Sequence, residues 1–275
     1  MSFTTADVVK LRKVTGAGMM DCKGALAEAD GNFDRALEII RERGKLVASK
    51  RADREASEGA VLAKVTEDKK FGAPVVLNCE TDFVAKNEGF INFTNSILDV
   101  ALAQKPASLQ DLNAQQLDNR SIEAQVTEQT GVIGEKIELS YFGKIEAEYV
   151  VSYIHPGNKL ATLVGFNKAD VNEQVAKDIA MQVAAMSPVS VDTNTIPQDA
   201  IEKELEIARE KFRQEGKPEA MLEKIAQGAL QKWYKEVTLV NQAFIKDGKM
   251  TVKEYLAQQD KDLLVTGFER YGLGD

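Results

Sequence analysis

Twice in this chain an alternating apolar segment runs into a tight turn, a second apolar segment and then a helix-periodic stretch, the two occurrences lying about 90 residues apart. A recurring strand–turn–strand–helix unit points to two similar α+β subdomains. In the first copy Val61, Ala63 and Val65 alternate on one face of residues 59–66. Lys69-Lys70-Phe71-Gly72 turns the chain, and Val75, Val76 and Leu77 form the return strand. After a loop, Phe90, Phe93, Ile97 and Ala101 share one side of a helix that ends before Pro106. In the second copy Tyr149, Val151 and Tyr153 alternate, His155-Pro156-Gly157-Asn158 turns, and Leu160 to Phe166 returns. Val175, Ile179, Val183 and Met186 then mark a helix that stops before Pro188. The expected fold class is α+β: two similar core subdomains, residues 59–143 and 144–275, each with helices over one sheet face.

Residues 1–44 read as a small three-helix N-terminal domain. Thr4 or Thr5 caps the first helix, which buries Val8 and Leu11 and stops at Gly16. Cys22, Ala25, Leu26 and Ala29 define the second; Phe33, Ala36, Leu37 and Ile40 define the third, with Gly44 as its terminator. Such a short unit has a marginal core. Residues 45–58, charged and alanine-rich, read as a linker, in part helical, with basic Lys45, Lys50, Arg51 and Arg54; a solvated tether is the first reading and a binding element the second. Between the copies, Ser108-Leu109-Gln110-Asp111 starts a helix and Lys136 to Phe142 forms a strand. The second copy carries an insertion at residues 197–236. Ile201, Leu205, Ala208 and Phe212 give a coiled-coil-like seam, Gly216-Lys217-Pro218 reverses the chain, and Leu222, Ile225, Ala229 and Trp233 face back. The expectation is an antiparallel helical hairpin. Beyond it Val237, Leu239, Phe244 and Ile245 read as sheet elements, Thr251-Val252-Lys253-Glu254 as a capping box opening the last helix, and Leu263 to Tyr271 as a final strand.

The chemical inventory argues for a binder. The single histidine, His155, excludes HExxH and any multi-histidine metal site, and there is no GxxxxGK[ST] phosphate loop. Gly16-Ala17-Gly18 lacks the strand and third glycine of a dinucleotide site. No enzyme activity, metal or cofactor is therefore expected. A Cys79–His155 nucleophilic pair is conceivable, but Cys79 follows an apolar strand, which favours a buried structural thiol. A net charge of −8 opposes phosphate-backbone binding, so no direct nucleic-acid partner is expected. No apolar run approaches the ~20 residues of a membrane span. The amino terminus carries no basic-then-apolar signal, and two cysteines make no disulfide framework, which together read as cytoplasmic. Thr81-Asp82-Phe83-Val84 follows the second strand of copy one, and two readings stand. Either Phe83 enters a partner's pocket while Asp82 perturbs a polar or metal site there, or Phe83 packs under its own helix and Asp82 caps the chain from Asn87 onward. A protein-interaction adaptor working through the three-helix domain is the alternative overall function.

Leu11 to Gly44, including Thr15-Gly16-Ala17-Gly18-Met19-Met20-Asp21-Cys22-Lys23, resembles the amino-terminal signature of the bacterial elongation factor Ts family. Cys79-Glu80-Thr81-Asp82-Phe83-Val84-Ala85-Lys86 is similar to its second signature. Tyr153-Ile154-His155-Pro156-Gly157 with Leu163-Val164, and Ile179 to Ala185, resemble two more of its segments in the same order. The resemblance implies guanine-nucleotide exchange on elongation factor Tu, bound with GDP or empty. It implies a ubiquitin-associated-like three-helix domain, a two-part core and a protruding helical hairpin. By the same resemblance Asp82 and Phe83, flanked by Thr81 and Val84, intrude near the partner's Mg²⁺ and phosphate region. His155 contacts the partner's nucleotide-binding domain, as does the segment holding Met19, Met20 and Lys23, and the second subdomain grips a different partner domain. Longer family members carry a further carboxy-terminal helical module, whereas here Gly274-Asp275 follows soon after Val265-Thr266-Gly267-Phe268; the module's contact is expected to be missing.

Overall fold

Thr4 opens helix α1 (Thr5–Thr15) with a reciprocal cap: its hydroxyl accepts from the Asp7 amide while the Asp7 carboxylate accepts from the Thr4 amide at 2.8 Å. The computed structural model describes residues 3–274. Gly16, at φ +74°, ends α1 in the left-handed conformation. Helices α2 (Met19–Glu28) and α3 (Phe33–Lys50) follow, and Val8, Leu11, Cys22, Ala25, Leu26, Ala36 and Ile39 fill the core among the three. Strands β1 (Glu58–Val65) and β2 (Phe71–Cys79) form an antiparallel hairpin, then a single turn α4 (Asp82–Ala85) leads into α5 (Glu88–Gln104). Helix α6 (Leu109–Ala114), the short hairpin β3 (Gln116–Leu117) and β4 (Arg120–Ser121), and α7 (Ile122–Ile133) come next. Strand β5 (Glu138–Phe142) pairs with β2, as does β6 (Ile145–Glu146). The second half contains β7 (Tyr149–Ile154), β8 (Leu160–Phe166), α8 (Glu173–Met186), α9 (Gln198–Gln214) and α10 (Glu219–Val237). It closes with β9 (Ala243–Phe244), β10 (Asp247–Thr251), α11 (Val252–Gln259) and β11 (Val265–Gly272).

The two sheets have the same plan. Strand order β1-β2-β5 in one matches β7-β8-β11 in the other, all antiparallel. The repeat extends to its helices. Asn87 and Asn172 cap α5 and α8, each accepting from two backbone amides, and Lys105 (φ 47°) and Ser187 (φ 42°) end them in the left-handed conformation just before Pro106 and Pro188. Strand period sets the layering. Ala73, Val75 and Leu77 point toward α5 and α7, while Val76 points the other way, to Val61, Ala63, Val150, Ala161 and Leu163. The sheets therefore pack face to face, with helices on both outer faces, and β2 is buried along its full length. The approach is close: a Cβ on Gly72 would lie 2.9 Å from Leu163 and Val150 side-chain atoms. Helices α9 and α10 pack on each other through Ala208, Leu222, Ala226 and Leu230, and Arg209–Glu223 (2.8 Å) and Arg213–Glu219 (2.6 Å) bridge them.

Three expectations need correction. Gly44 does not terminate the third helix: α3 runs on to Lys50, so the helical part of the expected linker, residues 45–50, is continuous with the third helix and not a solvated tether. Gly44 is buried where α3 crosses α7, because a Cβ on Gly131 would sit 2.2 Å from the Gly44 Cα. The glycine serves close approach of two helices, not a left-handed cap. The expected stripe does face the three-helix core, Ala36 fully buried and Phe33, Leu37 and Ile40 packed against it half-buried, with Ile39 added and with Leu37 and Ile40 also lining a crevice toward α7. Second, α7 itself has no counterpart in the sequence reading, since its buried side includes Gln125 and Thr130 and so lacks an apolar stripe. Third, of the four residues expected in sheet after the hairpin only Phe244 is in a strand. Val237 ends α10, Leu239 opens a 3-10 turn and Ile245 lies past β9. A short parallel bridge between Ser190 and Thr238 holds this stretch, and Gln242 adds to it by donating to the Glu236 (2.8 Å) and Met186 (3.2 Å) carbonyls.

Candidate partner-binding surface

The end of β2 is built so that one aromatic side chain projects outward. Thr81, extended at φ −124°, ψ 153°, caps α4 by accepting from the Val84 amide. In a single turn, successive residues are rotated by about 100°. Ala85 is buried and Val84 packs against the core, so Phe83 is forced out and is 84% exposed. The reading in which Phe83 packs under its own helix is overturned. The cap of α5 belongs to Asn87, not Asp82. Asp82 instead pairs with Lys86 at 2.6 Å, and that bond holds its carboxyl below the usual aspartate range.

Carboxylates fasten this turn from behind. Glu80 accepts the Lys136 amide at 2.6 Å and the Arg51 guanidinium at 2.8 and 3.0 Å, which lowers its pKa, the amide contributing most. Glu135 accepts the Thr81 amide at 3.0 Å and the Thr81 hydroxyl at 2.7 Å. The Cys79 thiol donates to the Thr81 carbonyl at 3.1 Å, and burial first, then Glu135, pushes it up to about 12. A thiol so held is a poor nucleophile. His155 has a different partner: its Nδ1 lies 3.0 Å from the Tyr153 hydroxyl.

His155 is exposed at the tip of the β7–β8 hairpin, in a turn with left-handed Gly157 and Asn158. That turn is tied to the first sheet, since the Val61 amide donates to the Asn158 carbonyl at 2.7 Å and Lys159 pairs with Glu58 at 2.8 Å. Glu58 lies opposite Cys79 in the β1–β2 register, so the hairpin tip is brought to the end of β2 where α4 begins. The Lys159 charge reaches Asp82. The sheet packing therefore brings Lys159, four residues past His155 in the second half of the chain, to the strand end from which Thr81, Asp82, Phe83 and Val84 follow. Met19, Met20 and Lys23 lie in the first five residues of α2, Met19 41% and Met20 74% exposed, and none forms a hydrogen bond or ion pair with the Phe83 turn among the described residues. Among the described residues no cluster of His, Cys, Asp or Glu is placed to hold a metal ion, and no helix is long and apolar enough to cross a membrane. Glu80, Glu135, Arg51 and Lys159, which build this surface, were not singled out as functional from sequence. The Asp118-Asn119 turn, both residues left-handed, was the readable sign of a hairpin leading into α7 and so toward Glu135.

A sequence model described as Elongation factor TS matches residues 80–275. A protein of Azobacteroides pseudotrichonymphae genomovar. CFP2 named Elongation factor Ts is 53% identical over 273 residues, 99% of each chain. The chain belongs to the elongation factor Ts family. The Elongation factor Ts of Porphyromonas gingivalis is 52% identical over 274 residues, again 99% of both chains. That of Bacteroides fragilis is 41% identical over an alignment of 330 positions covering 99% of both. The family places this chain in translation elongation, and the aromatic turn at residues 80–85 lies at the start of the segment matched by the family's sequence model.

Proposed function

We propose that this protein is a guanine-nucleotide exchange factor for elongation factor Tu, binding its GDP-loaded and emptied forms and releasing GDP by intruding Asp82 and Phe83 near the Mg²⁺ and phosphate site. The observation that carries this reading is Phe83: fully presented to solvent on a turn that is itself firmly held. A large exposed aromatic on a braced support is unrewarded in the free protein and is suited to filling a partner's pocket. Asp82 adds a negative charge beside it, suited to repelling phosphate or rearranging a metal's water shell. His155 presents a polar ring from the second sheet, and Met19, Met20 and Lys23 offer a further contact from a ubiquitin-associated-like unit that keeps the C-terminal half of α3 docked on the core. The second sheet and hairpin supply leverage on another partner domain. We place the protein in the cytoplasm, acting without nucleic acid, membrane, cofactor or covalent chemistry.

Each tenfold loss of nucleotide affinity requires about 1.4 kcal/mol of coupling, so several decades require roughly 5 kcal/mol. Burying one phenylalanine supplies about 1.5–3 kcal/mol. Phe83 is thus one contributor among several, and His155 and the N-terminal helices contribute the rest. The direct test is release of fluorescent GDP from elongation factor Tu with and without this protein. No acceleration at micromolar concentration rejects the proposal. Equal affinity for loaded and emptied partner, measured by calorimetry, rejects it as well, because exchange needs a preference.

A further inference from the structure

Strand β5 pairs with β2 in a register that sets Asn78 opposite Glu138. Continuing it outward puts Glu80 opposite Lys136 and Thr81 opposite Glu135, just where both strands have ended. The side chains take over from the ladder there, each carboxylate accepting the backbone amide of the opposite chain: Lys136 on Glu80 and Thr81 on Glu135. Gly134, at φ +80°, ends α7 and swings Glu135 into this place. The Thr81 hydroxyl donates to Glu135 at 2.7 Å and accepts from the Val84 amide, so one oxygen links Glu135 to the first turn of α4. A single helical turn does not sustain itself, and Phe83, being exposed, contributes no packing that would hold it.

We propose that Glu135 is a positioning residue for nucleotide exchange: acting through Thr81, it fixes the direction in which Phe83 and Asp82 project. This rests on the exchange reading above. Charge-assisted bonds from both the amide and the hydroxyl of one residue define a geometry that a lone cap does not. Glu135 does not touch the partner; its effect reaches the partner only through the turn.

The test is a double-mutant cycle read in fluorescent GDP release from elongation factor Tu, using the full chain as Phe83→Ala, Glu135→Ala, Glu135→Gln and both Phe83→Ala combinations. Glu135→Ala lowers the maximal release rate by about tenfold while the half-saturating concentration moves by less than about threefold. In the Phe83→Ala background the same change costs less than about threefold, since Asp82 is then the one target left to position. Glu135→Gln, which keeps an acceptor for the Thr81 amide, restores part of the rate. It shows the same non-additivity, and carries the cycle if the alanine variant does not fold. Effects of Phe83 and Glu135 that multiply fully, or a Glu135→Ala rate equal to the parent's, overturn the proposal. A Phe83→Ala protein that exchanges normally overturns instead the reading on which it rests.

Discussion

Phe83→Ala separates a binding role from a structural one because the free structure predicts both numbers. The side chain is 84% exposed, so nearly all its burial free energy is unspent until a partner covers it. Full burial is worth about 1.5–3 kcal/mol, which at about 1.4 kcal/mol per decade corresponds to a roughly 10- to 150-fold loss in the second-order exchange rate. Stability should not follow, since truncating an exposed side chain that makes no core contact costs within about 0.5 kcal/mol. Stopped-flow release of fluorescent GDP and thermal melting, run on the same preparations, read the two quantities. Val84→Ala is the contrasting control: Val84 packs on the first core, so its loss lowers the melting temperature. An unchanged exchange rate for Phe83→Ala refutes the reasoning. A slowed rate accompanied by a fall of many degrees in melting temperature refutes it too, because the turn would then be part of the core.

Gly131→Ala forces α3 away from α7, since the added methyl falls 2.2 Å from the Gly44 Cα. The expected outcome is a destabilisation of about 1–3 kcal/mol with hydrogen exchange raised throughout α1–α3. Asp178, buried on α8, accepts from Lys246 (2.6 Å), Gln174 (2.6 Å) and Tyr255 (2.9 Å). Asp178→Ala leaves those donors without their acceptor and should cost about 2–4 kcal/mol in urea unfolding. Burial alone would raise the Asp178 carboxyl, but those three bonds outweigh it and hold it below the ordinary aspartate value. A depressed folded-state pKa means stability that is complete above the ordinary value and is lost as pH falls through the folded one. The stability gap between parent and Asp178→Asn should therefore be constant from pH 7 to 5 and shrink below about pH 4. Cys79, pushed up to about 12, should resist iodoacetamide at pH 8 in the native protein and react only after denaturation.

Much of the site was legible because its signals are local. Thr81-Asp82-Phe83-Val84 stood out as an acid beside an aromatic at a strand end, and His155-Pro156-Gly157-Asn158 as a turn, from neighbours in the chain alone. Caps were legible for the same reason: Thr4, Ser108 and Thr251 each bond a residue three positions on. What escaped the sequence reading depends on distant residues. Glu135 clamps Thr81 across 54 positions and Arg51 reaches Glu80 across 29, and nothing in either segment marks these carboxylates as different from solvated ones.

Periodicity, caps and turn residues by themselves determined that the chain makes paired strands and helices in a repeated order, and that an acidic aromatic segment follows the first hairpin. Those properties follow from interactions over a few residues, where backbone geometry leaves few choices. Only the tertiary structure decided that the two sheets stack, that Gly44 is a crossing point and not an end, and that the hairpin tip carrying His155 is tied to the first sheet. A glycine in a string of residues carries no mark of what will approach it; the meeting of Gly44 with Gly131, and of Lys159 with Glu58, exists only once the layers have packed.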